Sequence, residues 1–209
     1  MELKEAIEKR TSVRRFKSEP IPIDDLKEII SLAGKAPSIN NSQSWKFLAI
    51  VNSELLEKMS QIVHKKIEQL FPVEEENADK KVVDTVDRYS TFFNEAPAVI
   101  AVLTKPYNAV ADKISDENSL SAEELNKLRN YPDIQSVGAA VQNVLLAAVD
   151  KNLGACWLSG LMVAKDELED LLSIEKPYSL FTCIAIGKPL GDVKPKEKKS
   201  LNEIFELID

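Results

Sequence analysis

The first side chains able to do chemistry are Arg10, Ser12 and Arg14, in the segment Arg10-Thr11-Ser12-Val13-Arg14-Arg15-Phe16. In an extended chain successive side chains alternate, so Arg10, Ser12 and Arg14 fall on one side and Val13 and Arg15 on the other. Two guanidiniums around a hydroxyl suit a phosphate dianion, which arginine grips through paired N–H donors. A solvated basic loop after a helix has the same composition. A second cluster, Ala36-Pro37-Ser38-Ile39-Asn40-Asn41-Ser42-Gln43-Ser44-Trp45, is dense in amides and hydroxyls. Such residues make turns and caps, or rim a polar heterocycle. A third, Gly154-Ala155-Cys156-Trp157-Leu158-Ser159-Gly160, reads as a strand ending at Ser-Gly, where backbone N–H groups can face a ligand with little side-chain hindrance. The fourth, Lys194-Pro195-Lys196-Glu197-Lys198-Lys199, is a basic cluster near the other end of the chain, and otherwise a solvated tail.

Several chemistries are excluded. The six glycines, at 34, 138, 154, 160, 187 and 191, form neither GxGxxG nor GxxxxGK[ST], so a nucleotide has to be held in another way. One histidine, His64, provides no cluster for zinc, and it lies off the apolar stripe of its helix, on a solvated face. Cys156 and Cys183 lack CxxC spacing and sit among apolar neighbours, as buried free thiols do. With 27 basic and 34 acidic residues the net charge is −7, a field that repels polyanions and disfavours nucleic acid as a partner. No apolar run approaches a membrane span and the first residues lack a signal-peptide core, so a cytoplasmic protein with no membrane partner is expected.

The elements that must position these residues follow from periodicity. The chain has 209 residues, 44% of them hydrophobic, enough for one domain with a sizeable core. Helical spacing joins Leu3, Ala6, Ile7 and Arg10, and then Leu26, Ile29, Ile30 and Ala33, ending around Gly34 and Pro37. Trp45 to Val51 has strand composition, and Ser53 is placed to cap a helix carrying Leu55, Met59, Ile62, Val63, Ile67 and Leu70. Glu74-Glu75-Glu76 reads as a solvated approach to a helix with Val82, Val83, Val86, Tyr89 and Phe93 on its apolar side. Ala98 to Leu103 is a buried-strand run. Residues 104–133 are the least regular part, a possible lid in which Ser121-Ala122-Glu123-Glu124 resembles a capping box. A long helix from Ile134 to Asn152 follows, with Gly154 placed to stop it and Gly138-Ala139-Ala140 offering a close-approach surface. A strand at Cys156 to Leu158, a helix near Lys165 to Leu172 and a strand from Leu180 to Ile186 complete an α+β pattern.

In this order the four segments resemble the nitroreductase family of flavin-dependent oxidoreductases, over essentially the whole chain. Arg10, Ser12, Arg14 and Phe16 match its opening Arg-x-Ser-x-Arg-x-Phe pattern, and Ala36, Pro37, Ser38, Asn41, Gln43 and Trp45 match its Ala-Pro-Ser-x-x-Asn-x-Gln-Pro-Trp stretch. Gln142-Asn143, Leu145 to Ala148 and Leu153-Gly154 look like its long helix and the exit to its active-site strand, and Ile186 to Pro189 is similar to its closing Gly-x-Pro turn.

The resemblance implies a single FMN-binding domain over 1–209. Its fold is a central mixed, mostly antiparallel sheet flanked by helices, with a long central helix at an intertwined homodimer interface. Arg10, Thr11, Ser12 and Arg14 would hold the FMN phosphate and ribityl chain, joined by Lys196 and Lys198 from a tail, 188–209, that contacts the partner subunit. Pro37, Ser38 and Asn41 of the partner subunit would line the isoalloxazine, and Ser159 and Gly160 would offer backbone N–H groups near N5 and O4. No protein residue is assigned as catalytic and no metal is implied. NADH or NADPH would pass hydride through flavin N5 to a small-molecule acceptor such as a nitroaromatic or quinone. The alternatives are flavin fragmentation or reductive dehalogenation on the same fold, or a non-catalytic flavin-holding protein. Ser44 departs from the family's proline, which would loosen its loop; Lys198 departs from a common arginine, and Ser159 from the glutamate of some relatives.

Overall fold

The structure is a computed structural model that describes residues 1–73, 78–107, 109, 120–193 and 195–208. Glu74-Glu75-Glu76, Lys194 and much of the 104–133 segment lie outside the described residues. In chain order the elements are α1 (Leu3–Lys9), α2 (Ile23–Ala33), β1 (Trp45–Ile50), α3 (Ser53–Leu70), α4 (Ala78–Thr91), β2 (Ala98–Thr104), α5 (Ala122–Leu128), α6 (Pro132–Asp150), β3 (Gly154–Leu158), α7 (Lys165–Leu171), β4 (Ser179–Gly187) and α8 (Leu201–Ile204).

The four strands form one sheet in the order β1-β2-β4-β3, and every neighbouring pair is antiparallel. The single parallel element among the described residues is a bridge between Ser12 and Ala155. Helices cover both faces. On one, Val99, Ala101, Leu103 and Cys183 share a core with Leu56, Met59, Val63 and Ile67 of α3 and Leu168 of α7. On the other, Ala98, Ile100, Val102, Ile184 and Ile186 share one with Leu26 and Ile29 of α2 and Val137, Val141 and Val144 of α6. This double coverage is why β2 is an unbroken apolar run, buried at every position, instead of alternating with polar residues.

Three expectations are corrected by local chemistry. The cap of α3 is Asn52, whose Oδ1 accepts from the Leu55 N–H at 3.1 Å, and not Ser53. The long helix is stopped by Asn152, which takes the left-handed φ of 57° while the Leu153 N–H donates to the Ala148 carbonyl at 2.8 Å. Gly154 is needed for another reason: a Cβ there would lie 2.4 Å from Val13 Cγ2 and 2.7 Å from Val13 Cβ. The apolar stripe of α4 is core only in part: Val82, Val86 and Tyr89 are exposed, Val83 packs partly buried against the core, and Phe93, in the turn that follows, is buried. The expected capping box at Ser121 is present, with Glu124 answering from the third helical position.

His64 is half-exposed on α3, as its position off the stripe requires, but it reaches α4: Nδ1 lies 3.0 Å from Asp87 Oδ2, and Nε2 lies 3.5 Å from Glu68. The hydrogen bond to Asp87 holds the imidazole pKa above its ordinary 6.5 against partial burial, with the charges of Asp87 and Glu68 adding to it. Glu68, Asp84, Asp87 and Lys80 line the same cleft between the two helices.

Two outcomes follow. Gly154→Ala forces Val13 away from β3 and lowers unfolding stability by about 1–3 kcal/mol, measured by urea titration. A group whose pKa is raised on folding stabilises fully below its unfolded value, and the contribution is lost as pH rises through the folded value. The stability advantage of the wild type over His64→Gln is therefore larger at about pH 6 than at about pH 9, and equal advantages at both would remove the α3–α4 latch.

Candidate functional site

The site is built around the strip between α1 and α2. Val13 N–H donates to the Ala155 carbonyl at 3.1 Å, which lays the strip along the free edge of β3. Further on, Lys17 N–H donates to the Lys188 carbonyl and Leu190 N–H to the Arg15 carbonyl, both at 2.9 Å, with Phe16 bridged to Pro189. The strip thus joins the free edge of the sheet to the start of the C-terminal segment. Val13 and Phe16 are buried in the core, Ser12 and Arg14 are partly buried, and Arg15 is exposed. The simple alternation is therefore broken: Val13 and Arg15 do not share an environment.

The bridge between Ser12 and Ala155 brings the strip from Arg10 to Arg14 alongside Cys156. Burial pushes the Cys156 thiol pKa up, while the Arg14 charge, a hydrogen bond with Ser12 and the Arg10 charge oppose it. Cys183, with no such neighbours and complete burial, is pushed up to about 12. Among the described residues no carboxylate forms an ion pair with Arg10 or Arg14, although the chain carries seven excess negative charges. The Arg14 guanidinium instead lies 5.6 Å from the centre of the Tyr89 ring, which Arg88 approaches at 5.2 Å.

Beside Arg14 opens a pocket of about 350 Å³ that Cys156, Leu158, Ser159 and Gly160 line from the end of β3, and Tyr89 and Ser90 from α4. Its lining contains no carboxylate and no imidazole. Gly160 is fixed by proximity, since a Cβ there would stand 2.3 Å from Ser90 Oγ. Tyr89, Ser90 and Cys156 were not among the expected site residues. Nothing local to the sequence marks Tyr89 or Ser90, because the contact between α4 and the end of β3 is made in three dimensions; Cys156 lies in the third cluster but reads there as a buried thiol.

Pro37, Ser38 and Asn41 sit elsewhere in the chain. Their loop leads into β1, at the same end of the sheet as Ser159 but at the opposite edge, because Trp45 faces Thr104, Thr104 faces Ser179, and β3 follows β4. Three strand spacings of about 4.8 Å, on the order of 14 Å, separate the two edges. The loop is held in an unusual shape, with Asn40, Asn41 and Gln43 at φ 45°, 53° and 44°. Ser38 Oγ accepts from the Gln43 N–H at 3.0 Å, Asn40 Nδ2 donates to the Tyr107 hydroxyl at 2.6 Å, and the Ile39 N–H donates to Ser136 Oγ at 3.2 Å. Ser44 does not loosen it: the residue is buried, its hydroxyl is 3.1 Å from Ser42 Oγ, and its carbonyl accepts from the Lys105 N–H at 3.0 Å. Thr11 is partly buried beside Arg10; Lys196 and Lys198 are exposed and lie beyond Leu190, which is paired with Arg15.

Among the described residues no helix is long and apolar enough to cross a membrane, and no group of three or more His, Cys, Asp or Glu side chains could hold a metal ion. The model of the nitroreductase family matches residues 7–188. The fold matches the crystal structure of a BluB-like flavoprotein from Clostridium difficile 630 with a TM-score of 0.88 and 32% identity, covering all of both chains. An FMN-bound nitroreductase from Bacteroides fragilis matches over the same full lengths with a TM-score of 0.72 and 20% identity. An iodotyrosine deiodinase from Thermotoga neapolitana is 29% identical over 94% of this chain and 92% of the relative. With the family pattern matched from α1 to the turn after β4, the chain belongs to the nitroreductase family of FMN-dependent oxidoreductases.

Proposed function

We propose that two copies of the chain bind FMN between them and use it for a specialised reaction, either fragmentation of the flavin or reductive dehalogenation of an aromatic substrate. General nitroaromatic or quinone reduction, the first expectation from sequence, is the less supported activity. The observation that carries this reading is the full-length similarity to the BluB-like flavoprotein, at a TM-score of 0.88 against 0.72 for the FMN-bound nitroreductase. Similarity to the deiodinase over nearly the whole of both chains supports the dehalogenating form.

The residues present fit FMN. Arg10 and Arg14, partly buried and without a carboxylate partner among the described residues, stand either side of Ser12 on the strip beside Cys156, a cationic stretch that an anion completes. In this reading Arg10, Thr11, Ser12 and Arg14 hold the phosphate and ribityl chain, and Lys196 and Lys198 add point charges from the tail. Ser159 and Gly160 present backbone N–H groups to the ring, and Pro37, Ser38 and Asn41 of the partner subunit cover it. The bound flavin supplies the electron-transfer chemistry, with NADH or NADPH as the donor class. The pocket lining offers no carboxylate and no imidazole, so protons reach the reacting atoms from water or from the Tyr89 hydroxyl.

Support for a homodimer comes from the same geometry. The loop at Pro37 to Asn41 is an edge away from Arg14 within one chain, so a second copy is the economical way to bring the two together. The tail carries Leu201, Ile204, Phe205, Leu207 and Ile208 with their side chains exposed, an apolar series that suits the surface of a second copy. The span 1–209 is read as one domain, with the segment 104–133 as a candidate lid.

The purified protein takes up FMN, and Arg10→Ala or Arg14→Ala raises the dissociation constant about tenfold or more, through loss of charge-assisted hydrogen bonds. A protein that ignores added FMN overturns the reading. For the reaction, reduced holoprotein is mixed anaerobically with 3-iodotyrosine or separately with oxygen, and compared with steady-state turnover of a nitrofuran and NADH or NADPH. Iodide release, or bleaching of the flavin without recovery, is expected; fast nitrofuran turnover with neither event returns the protein to the general reductases.

A further inference from the structure

Tyr178, just before β4, gathers two lysines at its ring: the Lys46 ammonium lies 5.5 Å from the ring centre and the Lys105 ammonium 5.7 Å. The sheet puts them there. Lys46 on β1 faces Leu103 on β2, the Lys105 N–H donates to the Ser44 carbonyl at 3.0 Å, and alternation along the chain returns Lys105 to the face of Leu103. The negative face of the ring draws each ammonium but does not remove their mutual repulsion. Elsewhere in this acidic chain such charges are neutralised: Lys151 by Asp25 and Glu28, Lys66 by Glu167, Lys188 by Glu19. Neither Lys46 nor Lys105 has a carboxylate within ion-pair distance among the described residues.

Tyr178 and Lys46 line a second cavity, of about 310 Å³, that shares no lining residue with the one beside Arg14. Leu48, Leu103 and Ile174 give it an apolar wall. Lys176, also in the lining, has Glu169 3.9 Å away. Glu175 is the one carboxylate in the lining, and it pairs with neither Lys46 nor Lys105. The two lysines at Tyr178 therefore carry two positive charges that no group among the described residues answers, next to a cavity that can take an apolar body.

We propose that this cavity is a second anion site, in which Lys46 and Lys105 hold the phosphate of a small phosphomonoester whose apolar remainder lies against Leu48, Leu103 and Ile174. The charge count favours that class. A phosphomonoester carries about −1.5 to −2 at neutral pH, which two ammoniums match, whereas a carboxylate leaves one of them uncompensated. Lysine binds phosphate as a point charge with rotatable donors, so neither residue has to meet a fork geometry. The Tyr178 ring supplies pre-organisation, since it collects both ammoniums before a ligand arrives. The site stands apart from the arginine strip and needs no bound flavin.

The test is calorimetric titration of the full-length protein, saturated with FMN, with phenyl phosphate, inorganic phosphate and benzoate. A protein that takes up no FMN is titrated without it, so failure of the FMN reading leaves this test standing. Saturable one-to-one binding of phenyl phosphate is expected, tighter than that of either other probe. Lys46→Ala and Lys105→Ala each weaken it about fivefold or more, the loss of one charge-assisted contact. Tyr178→Phe keeps the ring and the affinity, while Tyr178→Leu, which releases the lysines, lowers it. Arg10→Ala on the strip and Lys58→Ala on the exposed side of α3 leave it unchanged. No saturable binding of phenyl phosphate, or wild-type affinity in the Lys46→Ala, Lys105→Ala double variant, overturns the proposal. Loss on Arg10→Ala assigns the anion to the arginine strip and overturns it as well. Benzoate or inorganic phosphate binding as tightly as phenyl phosphate overturns the ligand class.

Discussion

The contact on which the site depends is the seating of Val13 against Gly154. The missing side chain at 154 lets the strip between α1 and α2 approach β3 closely enough for the Val13 N–H to reach the Ala155 carbonyl. That one pairing sets Ser12 and Arg14 beside Cys156, and its continuation through Phe16 brings residues 188–190 alongside. Without the pairing, the arginines would be an ordinary basic loop. The fold makes them a fixed corner.

Charge gives that corner its meaning. In an acidic chain, arginines are readily neutralised, and many surface lysines here have carboxylate neighbours: Lys151 with Asp25 and Glu28, Lys66 with Glu167, Lys188 with Glu19. Arg10 and Arg14 have none among the described residues, and the pocket wall next to them contains no acid. An arrangement that withholds carboxylates from two partly buried guanidiniums keeps the positive field available for an anion from outside. Ser90, Ser159 and Gly160 line the same pocket and add no charge to it.

Much of this was legible in sequence. The unbroken run Ala98 to Leu103 marked a strand buried on both faces, and the spacing of Val137, Val141, Val144 and Leu145 marked α6. The family pattern named Arg14, Ser159 and Gly160, which line one pocket, and Ser12, which bridges to Ala155 beside it. What could not be read were contacts between segments distant in the chain. Gly154 looks like a helix stop, because Val13 is far away in sequence; Tyr89 looks like core, because the helix that carries it has a periodic apolar stripe that the fold leaves on the surface. Ser90 has no local signal at all. The strand order β1-β2-β4-β3, which separates Pro37 to Asn41 from Arg14 by the width of the sheet, is likewise a property of topology and not of any motif.

The central claim is that an FMN site takes its arginines from one chain and its Pro37–Asn41 loop from another. It is tested by mixing two variants, each unable to bind FMN as a homodimer: one lacking the arginines at 10 and 14, the other altered at Pro37 and Asn41. Refolded together, mixed dimers contain one site with both parts intact, so the account predicts recovery of one FMN per mixed dimer. No recovery, with mixed dimers demonstrably formed, would mean that both parts act within a single chain and would contradict it.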